Sequence, residues 1–250
     1  MDDERLIIYD LAQLQIDDRF SRRSERRNTG HTIEPFDRQQ VVDQILPRGR
    51  LGLRKRLKHY LSGVKTDRLD EVDQMIRALH AVIQKETYSP FPVVAAPYGL
   101  ALGGGCEVCL AADRIVAHAE LYMGLVEIGV GLLPGGGGCK NLWKKAVNSI
   151  PSHVKDVDLS KFFIPTFMNI ATAKVSMSAA QARAAGFLGP QDRIVFNRDL
   201  LIGEAKKEVL RMADAGYAPP AKKKLKVLGA AAEGMVNGEI FNMQSAGYVS

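Results

Sequence analysis

The stretch "GLALGGGCEV", residues 99–108, puts three consecutive glycines directly before a short apolar run that carries one glutamate, Glu107. Glycine gives up more conformational freedom on folding than any other residue, so three in a row mark a place where the backbone must turn sharply or be approached closely. Upstream, "FPVVAAPYG" (91–99) is a β-branched run between prolines and predicts a short buried strand. Downstream, the alanine and leucine content of "CEVCLAAD" (106–113) predicts a short helix. A strand, a glycine turn and a helix N-terminus in sequence bring free amides and partial positive charge to one point, which suits an anion or a developing oxyanion. The plainer alternative is that the glycines only let helix and strand pack closely.

Working outward, the punctuation is regular on both sides of this turn. "DEVDQMIRALHAVIQ" (70–84) sets Val72, Met75, Ile76, Leu79 and Ile83 at helical spacing, with acidic residues in the first turn. "RIVAHAELYMG" (114–124) reads as extended, "VEIGVGLLPGGGG" (126–138) as a loop, and "CKNLWKKAV" (139–147) as a helix start. Ser178 is a candidate N-cap for "AAQARAA", with Gly186 as its stop. "DRIVF" (192–196) predicts a strand, and "DLLIGEAKKEVLRMADAG" (199–216) a helix ending at Gly216. Strands alternating with helices define an α/β layer architecture.

The first part of the chain differs. Residues 1–65 are rich in arginine and aspartate, as in "SRRSERRNTGH" (21–31) and "RLGLRKRLKHY" (50–60), and their apolar residues keep no steady period. This segment is expected to be weakly structured, with at most a basic helix over 51–61. The expected division is therefore 1–65 and 66–250.

At 250 residues and 46% hydrophobic, the chain is long enough for one sizeable domain, and it has no uninterrupted apolar stretch of spanning length and no signal-like start. These features predict a soluble, cytoplasmic protein without a membrane partner. Three cysteines cannot complete a disulfide framework and fit reduced thiols. The net charge of +6 favours an anionic ligand or nonspecific nucleic-acid contact. The basic stretches, including "KKKLK" (222–226), lack interleaved aromatics, so solvated charge is the better reading and no specific nucleic-acid partner is expected.

Several chemistries are set aside by residue type. The glycines at 135–138 are followed by Cys139, Lys140 and Asn141, so the Gly-Lys-Ser/Thr of a P-loop is missing, and no strand leads into a dinucleotide-binding Gly-x-Gly-x-x-Gly. Cys106 and Cys109 form a Cys-x-x-Cys pair at a helix start, a position that lowers a thiol pKa, so a thiol redox protein is a competing class. Buried structural thiols are the favoured reading. Zinc would need four ligands and only Cys139 remains, so no metal is expected. The five histidines are scattered, and His80 and His118 are read as structural.

Two carboxylates, Glu107 and Glu127, flank the candidate oxyanion site in sequence. Such a pair suits chemistry at the carbons beside a carbonyl: one group deprotonates a water, the other delivers a proton, and the amides stabilise enolate charge. Taken singly, Glu107 is an ordinary helix-start charge and Glu127 an ordinary surface residue.

The whole stretch "PVVAAPYGLALGGGCEVCLAADRIVAHAELYMGLVEIGVGLLPGGGGCKNLW" (92–143) resembles the crotonase (enoyl-CoA hydratase/isomerase) superfamily, most closely the hydratase part of bifunctional 3-hydroxyacyl-CoA dehydrogenases of fatty-acid β-oxidation. A weaker match over 171–209 looks like that family's C-terminal portion. The resemblance implies an α/β crotonase-like (ClpP/crotonase) fold and a coenzyme A thioester as substrate, with no metal or redox cofactor bound by this chain. NAD would enter only through a dehydrogenase domain elsewhere. It further implies that the Gly104 amide lies in the oxyanion hole, that Glu107 activates water, and that Glu127 donates a proton to the α-carbon. Gly103, Gly105, Pro134, Gly135 and Gly136 would line the substrate, and the family usually forms trimer-based homo-oligomers.

The family also carries an earlier Phe-Ser-x-Gly-x segment, whose amide completes the oxyanion hole, and no such segment occurs before residue 70. The fold is therefore expected to be incomplete on its N-terminal side. Hydration slower than that of a complete family member follows, since one missing donor costs about two to three orders of magnitude. A noncatalytic crotonase-fold remnant is the competing class, and an assay of enoyl thioester hydration separates the two.

Overall fold

The computed structural model describes residues 7–9, 69–151, 153–154, 156–222 and 224–248. Strand β1 (Ile7–Tyr9) is followed by helix α1 (Leu69–Thr87), strands β2 (Val93–Ala95) and β3 (Gly99–Leu102), and helix α2 (Gly104–Ala111). Then come β4 (Arg114–His118), β5 (Leu121–Gly124), a 3₁₀ turn (Glu127–Val130), α3 (Gly138–Asn148) and α4 (Ser160–Ala171). The remaining elements are α5 (Ala179–Ala184), β6 (Arg193–Val195), a second 3₁₀ turn (Arg198–Leu200), α6 (Leu201–Asp214) and α7 (Ala230–Ser245).

Four strands form a parallel sheet in the order β1-β2-β4-β6, and β3 and β5 form a second parallel pair. The larger sheet is covered on both faces, as parallel sheets require. Alternation along its strands sends Ala95, Ile115 and Ala117 to one face, where they pack with Cys106, Cys109, Leu110, Met123, Leu125, Leu142 and Phe187. Val94, Val116 and Val195 go to the other face, against Leu201, Ala205, Val209 and Met212 of α6. Phe187 is fully enclosed, and burying such a side chain contributes about 1.5–3 kcal/mol.

Buried carboxylates tie the layers. Asp192 Oδ1 accepts from the Ile115 amide at 2.8 Å, and its Oδ2 accepts from the Gly189 amide at 2.6 Å and Lys145 Nζ at 2.7 Å. This links β4, the turn before β6, and α3. Asp113 Oδ2 accepts from the Val93 amide and from the Tyr217 hydroxyl, each at 2.9 Å, which pins the start of β2 to the end of α6.

The α/β expectation agrees with these layers. The periodic residues of α1 face inward, with Ile83 1% exposed, and Ser178 caps α5 by accepting from the Gln181 amide at 3.1 Å. Three elements differ from the sequence reading. The chain between "PVVAAP" and the glycines is a separate strand, β3, and helices α4 and α7 were not foreseen. Pro165 lies inside α4, where it removes a backbone donor. Its Phe163 meets Trp143 edge-on at 5.9 Å and stacks on Phe167 at 6.2 Å. Apart from the three residues of β1, the segment expected to be weakly structured, 1–65, with its basic helix over 51–61, lies outside the described residues.

Candidate active site

The glycine turn joins β3 to α2. Gly103 has φ +57°, which an L side chain rarely adopts. Its amide donates to the Gly124 carbonyl of β5 at 2.9 Å, and its carbonyl accepts from the Glu107 amide at 3.0 Å. Gly103 is thus engaged on both sides, so its amide is not available to a ligand. Gly104 and Gly105 open α2, where the first amides have no intrahelical carbonyl to reach. A Cβ at either would meet nothing within 4 Å.

Glu107 sits in the first turn of α2 and is 2% exposed. Its carboxylate is turned into the second glycine stretch: Oε1 accepts from the amides of Gly136 and Gly138, each at 2.8 Å. Burial raises its pKa, and the two amide bonds pull it back toward the ionised form. The chain fits around this carboxylate without room for a side chain. A Cβ on Gly136 would lie 2.6 Å from Glu107 Oε2, and one on Gly138 would lie 2.6 Å from Leu125 Cδ2 and 3.0 Å from Glu107 Oε1.

Glu127 opens the 3₁₀ turn after β5. The residue is only part-buried, yet both its carboxylate oxygens are enclosed and have no hydrogen-bond partner. Burial, helped by the charge of Glu107, pushes its pKa up to about 7. Its Oε1 would stand 3.3 Å from a Cβ at Gly103, so the glycine there lets the carboxyl come close to the turn.

The two glutamates therefore flank one glycine framework and feel each other's charge. The adjacent cavity, of ≈ 260 Å³, is lined by His80, Ile83, Gln84, Gly136, Gly137 and Lys140. Neither carboxylate nor Gly104 is among those lining residues. Gly136 is common to both places, lining the cavity while its amide holds Glu107. Pro134 is buried beside it, and the Gly135 carbonyl is hydrogen-bonded to His80 Nε2.

Sequence reasoning missed two of these participants. Gly138 belongs to the same run as Gly135 and Gly136, and its position directly ahead of "CKNLW" marked it as a helix-start amide donor. His80 carried no sequence signal, because its partner is a backbone carbonyl 55 residues away.

The thiols behave otherwise than their position suggests. Cys106 and Cys109 are both buried, and burial pushes both pKa values up, against the lowering expected at a helix start. Buried, protonated thiols are poor nucleophiles, which removes the ground for the redox reading. Among the described residues no group of three or more His, Cys, Asp and Glu is placed to hold a metal ion, and no helix is long and apolar enough to cross a membrane.

Comparison with known proteins bears on this framework directly. Residues 65–154 match the family described as Enoyl-CoA hydratase/isomerase. A Bacillus subtilis protein named "Probable 3-hydroxyacyl-CoA dehydrogenase" is 43% identical over 190 residues, covering 76% of this chain and 23% of its own length. Human mitochondrial methylglutaconyl-CoA hydratase is 46% identical over 72 residues, covering 29% of this chain and 21% of its own length. The chain thus spans about a quarter or less of the length of these curated relatives. Among solved structures, an enoyl-CoA hydratase from Bacillus anthracis aligns with 26% identity and a TM-score of 0.46, over 58% of this chain and 48% of that one. The family match spans α1, both glycine stretches, Glu107 and Glu127, so the part of the chain that carries the candidate site is similar to enoyl-CoA hydratases and isomerases.

Proposed function

We propose that the chain performs enoyl-CoA hydratase-type chemistry, adding water across the double bond of a 2-enoyl-CoA thioester. The observation that carries this reading is the asymmetry of the two carboxyl groups. Glu107 has one oxygen held by two backbone amides, which favour the anion and offset part of the rise that burial causes. Glu127 has no hydrogen-bond partner for either oxygen and a pKa near 7, an environment that keeps a proton at neutral pH. Pairs of titratable groups whose surroundings differ in this way divide into a base and an acid.

In the forward direction Glu107 takes a proton from the attacking water as its oxygen bonds to the β-carbon. Electron density moves onto the thioester carbonyl, where the Gly104 amide at the head of α2 donates to the developing oxyanion. Glu127 then returns a proton to the α-carbon as the enolate collapses. One proton leaves water and one reaches carbon, so the pair is left inverted and resets by exchange with solvent. No metal or redox group takes part in these steps.

The wider context belongs to the same proposal. Fatty-acid β-oxidation is the expected setting, in keeping with the 3-hydroxyacyl-CoA dehydrogenase and fatty acid oxidation names of two relatives, and NAD would enter only if a dehydrogenase domain were present elsewhere. A homo-oligomer of trimeric type and a cytoplasmic site of action are the corresponding expectations for assembly and place.

The test is loss of the enoyl absorbance of crotonyl-CoA with purified protein. Glu127→Gln keeps the size of the side chain but carries no transferable proton, and is expected to lower turnover by about 10²–10⁴-fold. Turnover unaffected by Glu127→Gln would reject the assigned role. A wild-type chain without measurable hydration would favour the noncatalytic remnant.

A further inference from the structure

The peptide group between Gly135 and Gly136 is bonded at both ends. Its carbonyl, on Gly135, is the partner of His80 Nε2. Its N–H, on Gly136, donates to Glu107 Oε1 at 2.8 Å. A carbonyl oxygen only accepts, so the ring nitrogen facing it carries the proton. The peptide unit is planar and rigid, so fixing its carbonyl also fixes the direction of its N–H. Hydrogen bonds in series polarise one another, so a donor on the carbonyl strengthens the N–H as a donor in turn.

We infer that His80 is a positioning residue for Glu107, acting through the Gly135–Gly136 peptide: it orients and polarises that peptide's N–H, and so aims the glutamate and stabilises its anion. This deepens the hydratase reading and rests on it for its effect on turnover, but not for its effect on Glu107. The placement of His80 fits the role. It projects from α1, whose Ile83 also packs beside Gly136. It also lines the cavity with Gly136 and Gly137, so a molecule entering there would meet the outer end of the same relay. The second amide on Glu107 Oε1, from Gly138, lies at the start of α3 and is held by that helix. The two donors are therefore controlled from different elements, one by α3 and one by His80.

Three full-length proteins test this: wild type, His80→Ala and His80→Gln. The glutamine side-chain amide can donate to the same carbonyl from nearly the position of Nε2, whereas alanine cannot. The first readout is the pH titration of the Glu107 carboxyl carbon by NMR, with Glu107→Gln identifying the signal. The other titratable groups around Glu107 are Glu127 from the 3₁₀ turn, Cys106 on α2 and Cys139 on α3, and all three are unchanged between variants. Loss of the polarising donor weakens stabilisation of the anion, so the Glu107 titration should move to higher pH in His80→Ala and return in His80→Gln. The second readout is hydration of crotonyl-CoA. Here His80→Ala should lower kcat by about tenfold with KM little changed, and should move the acidic limb of the pH profile upward, with His80→Gln restoring both.

An unchanged Glu107 titration in His80→Ala overturns the inference, as does a change that His80→Gln fails to reverse. If wild type shows no hydration but the titration responds as described, the hydratase reading fails and the role of His80 stands.

Discussion

A side chain added to Gly104 or Gly105 would meet nothing within 4 Å, whereas one added to Gly136 or Gly138 would run into Glu107, Ile83 or Leu125 at 2.6–3.0 Å. The two glycine stretches are alike in composition and opposite in use. The first keeps a helix N-terminus bare, so that amides and open space face whatever approaches. The second is packed at Gly136 and Gly138: there its backbone is wrapped on a carboxylate, and glycine is present because nothing larger fits between the chain and Glu107. Glycine runs of similar appearance can therefore mark an accessible site or a packed support behind one, and only the positions of neighbouring side chains tell them apart.

The largest consequence to check is at the packed run. Gly136→Ala and Gly138→Ala are each expected to displace the Glu107 carboxylate and lower kcat by about 10²-fold, the scale of a 1 Å misplacement. They should also cost about 1–3 kcal/mol of stability through overpacking, read by denaturant unfolding. Variants with wild-type kcat would show that the second run is as tolerant as the first.

A smaller effect concerns the unequal protonation that the two runs support. Glu127 titrates near 7, above its ordinary value. In its proposed role of proton donor it is competent below that pH, so hydration should fall as pH rises through about 7, and Glu127→Asp should shift this limb while Glu127→Gln removes it. Stability carries the same sign. A raised folded-state pKa contributes stability that is complete below the ordinary carboxylate range and is lost as pH rises through about 7. Thermal melts should thus decline across this window in wild type and decline less in Glu127→Gln. A Tm that rises with pH, with no difference between the two proteins, would contradict the placement of Glu127 in an enclosed site without partners.

The smallest effect is expected at the open run. Gly104→Ala keeps the backbone amide, meets no neighbour and has a better helix former at the start of α2. Turnover within about threefold of wild type and a gain of up to about 1 kcal/mol in stability are the expected outcomes. A loss as large as that of Gly136→Ala would mean that substrate packs directly on the Gly104 α-carbon.

Much of this framework was legible in the sequence because it rests on local patterns. The glycine turn, the helix it opens, the inward period of α1 and the Ser178 cap each follow from spacing within a few residues. Glu107 and Glu127 could be named as a pair because both border glycine segments. Their states could not, since the amides of Gly136 and Gly138 and the isolation of the Glu127 carboxyl come from chain segments meeting in space. Strand β3 escaped notice because it is short and its Leu100 is 59% exposed, giving no alternation to read. Helix α4 was hidden by Pro165, and α7 has no buried residue and hence no apolar face to reveal it.

The parallel ladders carry a consequence for how the molecule assembles. Among the described strands no two neighbours are joined by a hairpin, since every ladder is parallel and each pair needs a crossover. The β2–β4 and β3–β5 crossovers close comparatively short loops, and both run through α2. Loop-closure entropy favours forming these first, with β6 and the sequence-distant β1 added later. The helix that bears Glu107 is then expected to belong to the folding nucleus. Removing core volume there, as in Leu110→Ala, should slow refolding, while the same loss in α6, as in Val209→Ala, should chiefly hasten unfolding. On this expectation the proposed chemistry and an early step of self-assembly draw on the same eight residues of helix, so substitutions that retune one should change the rate of the other.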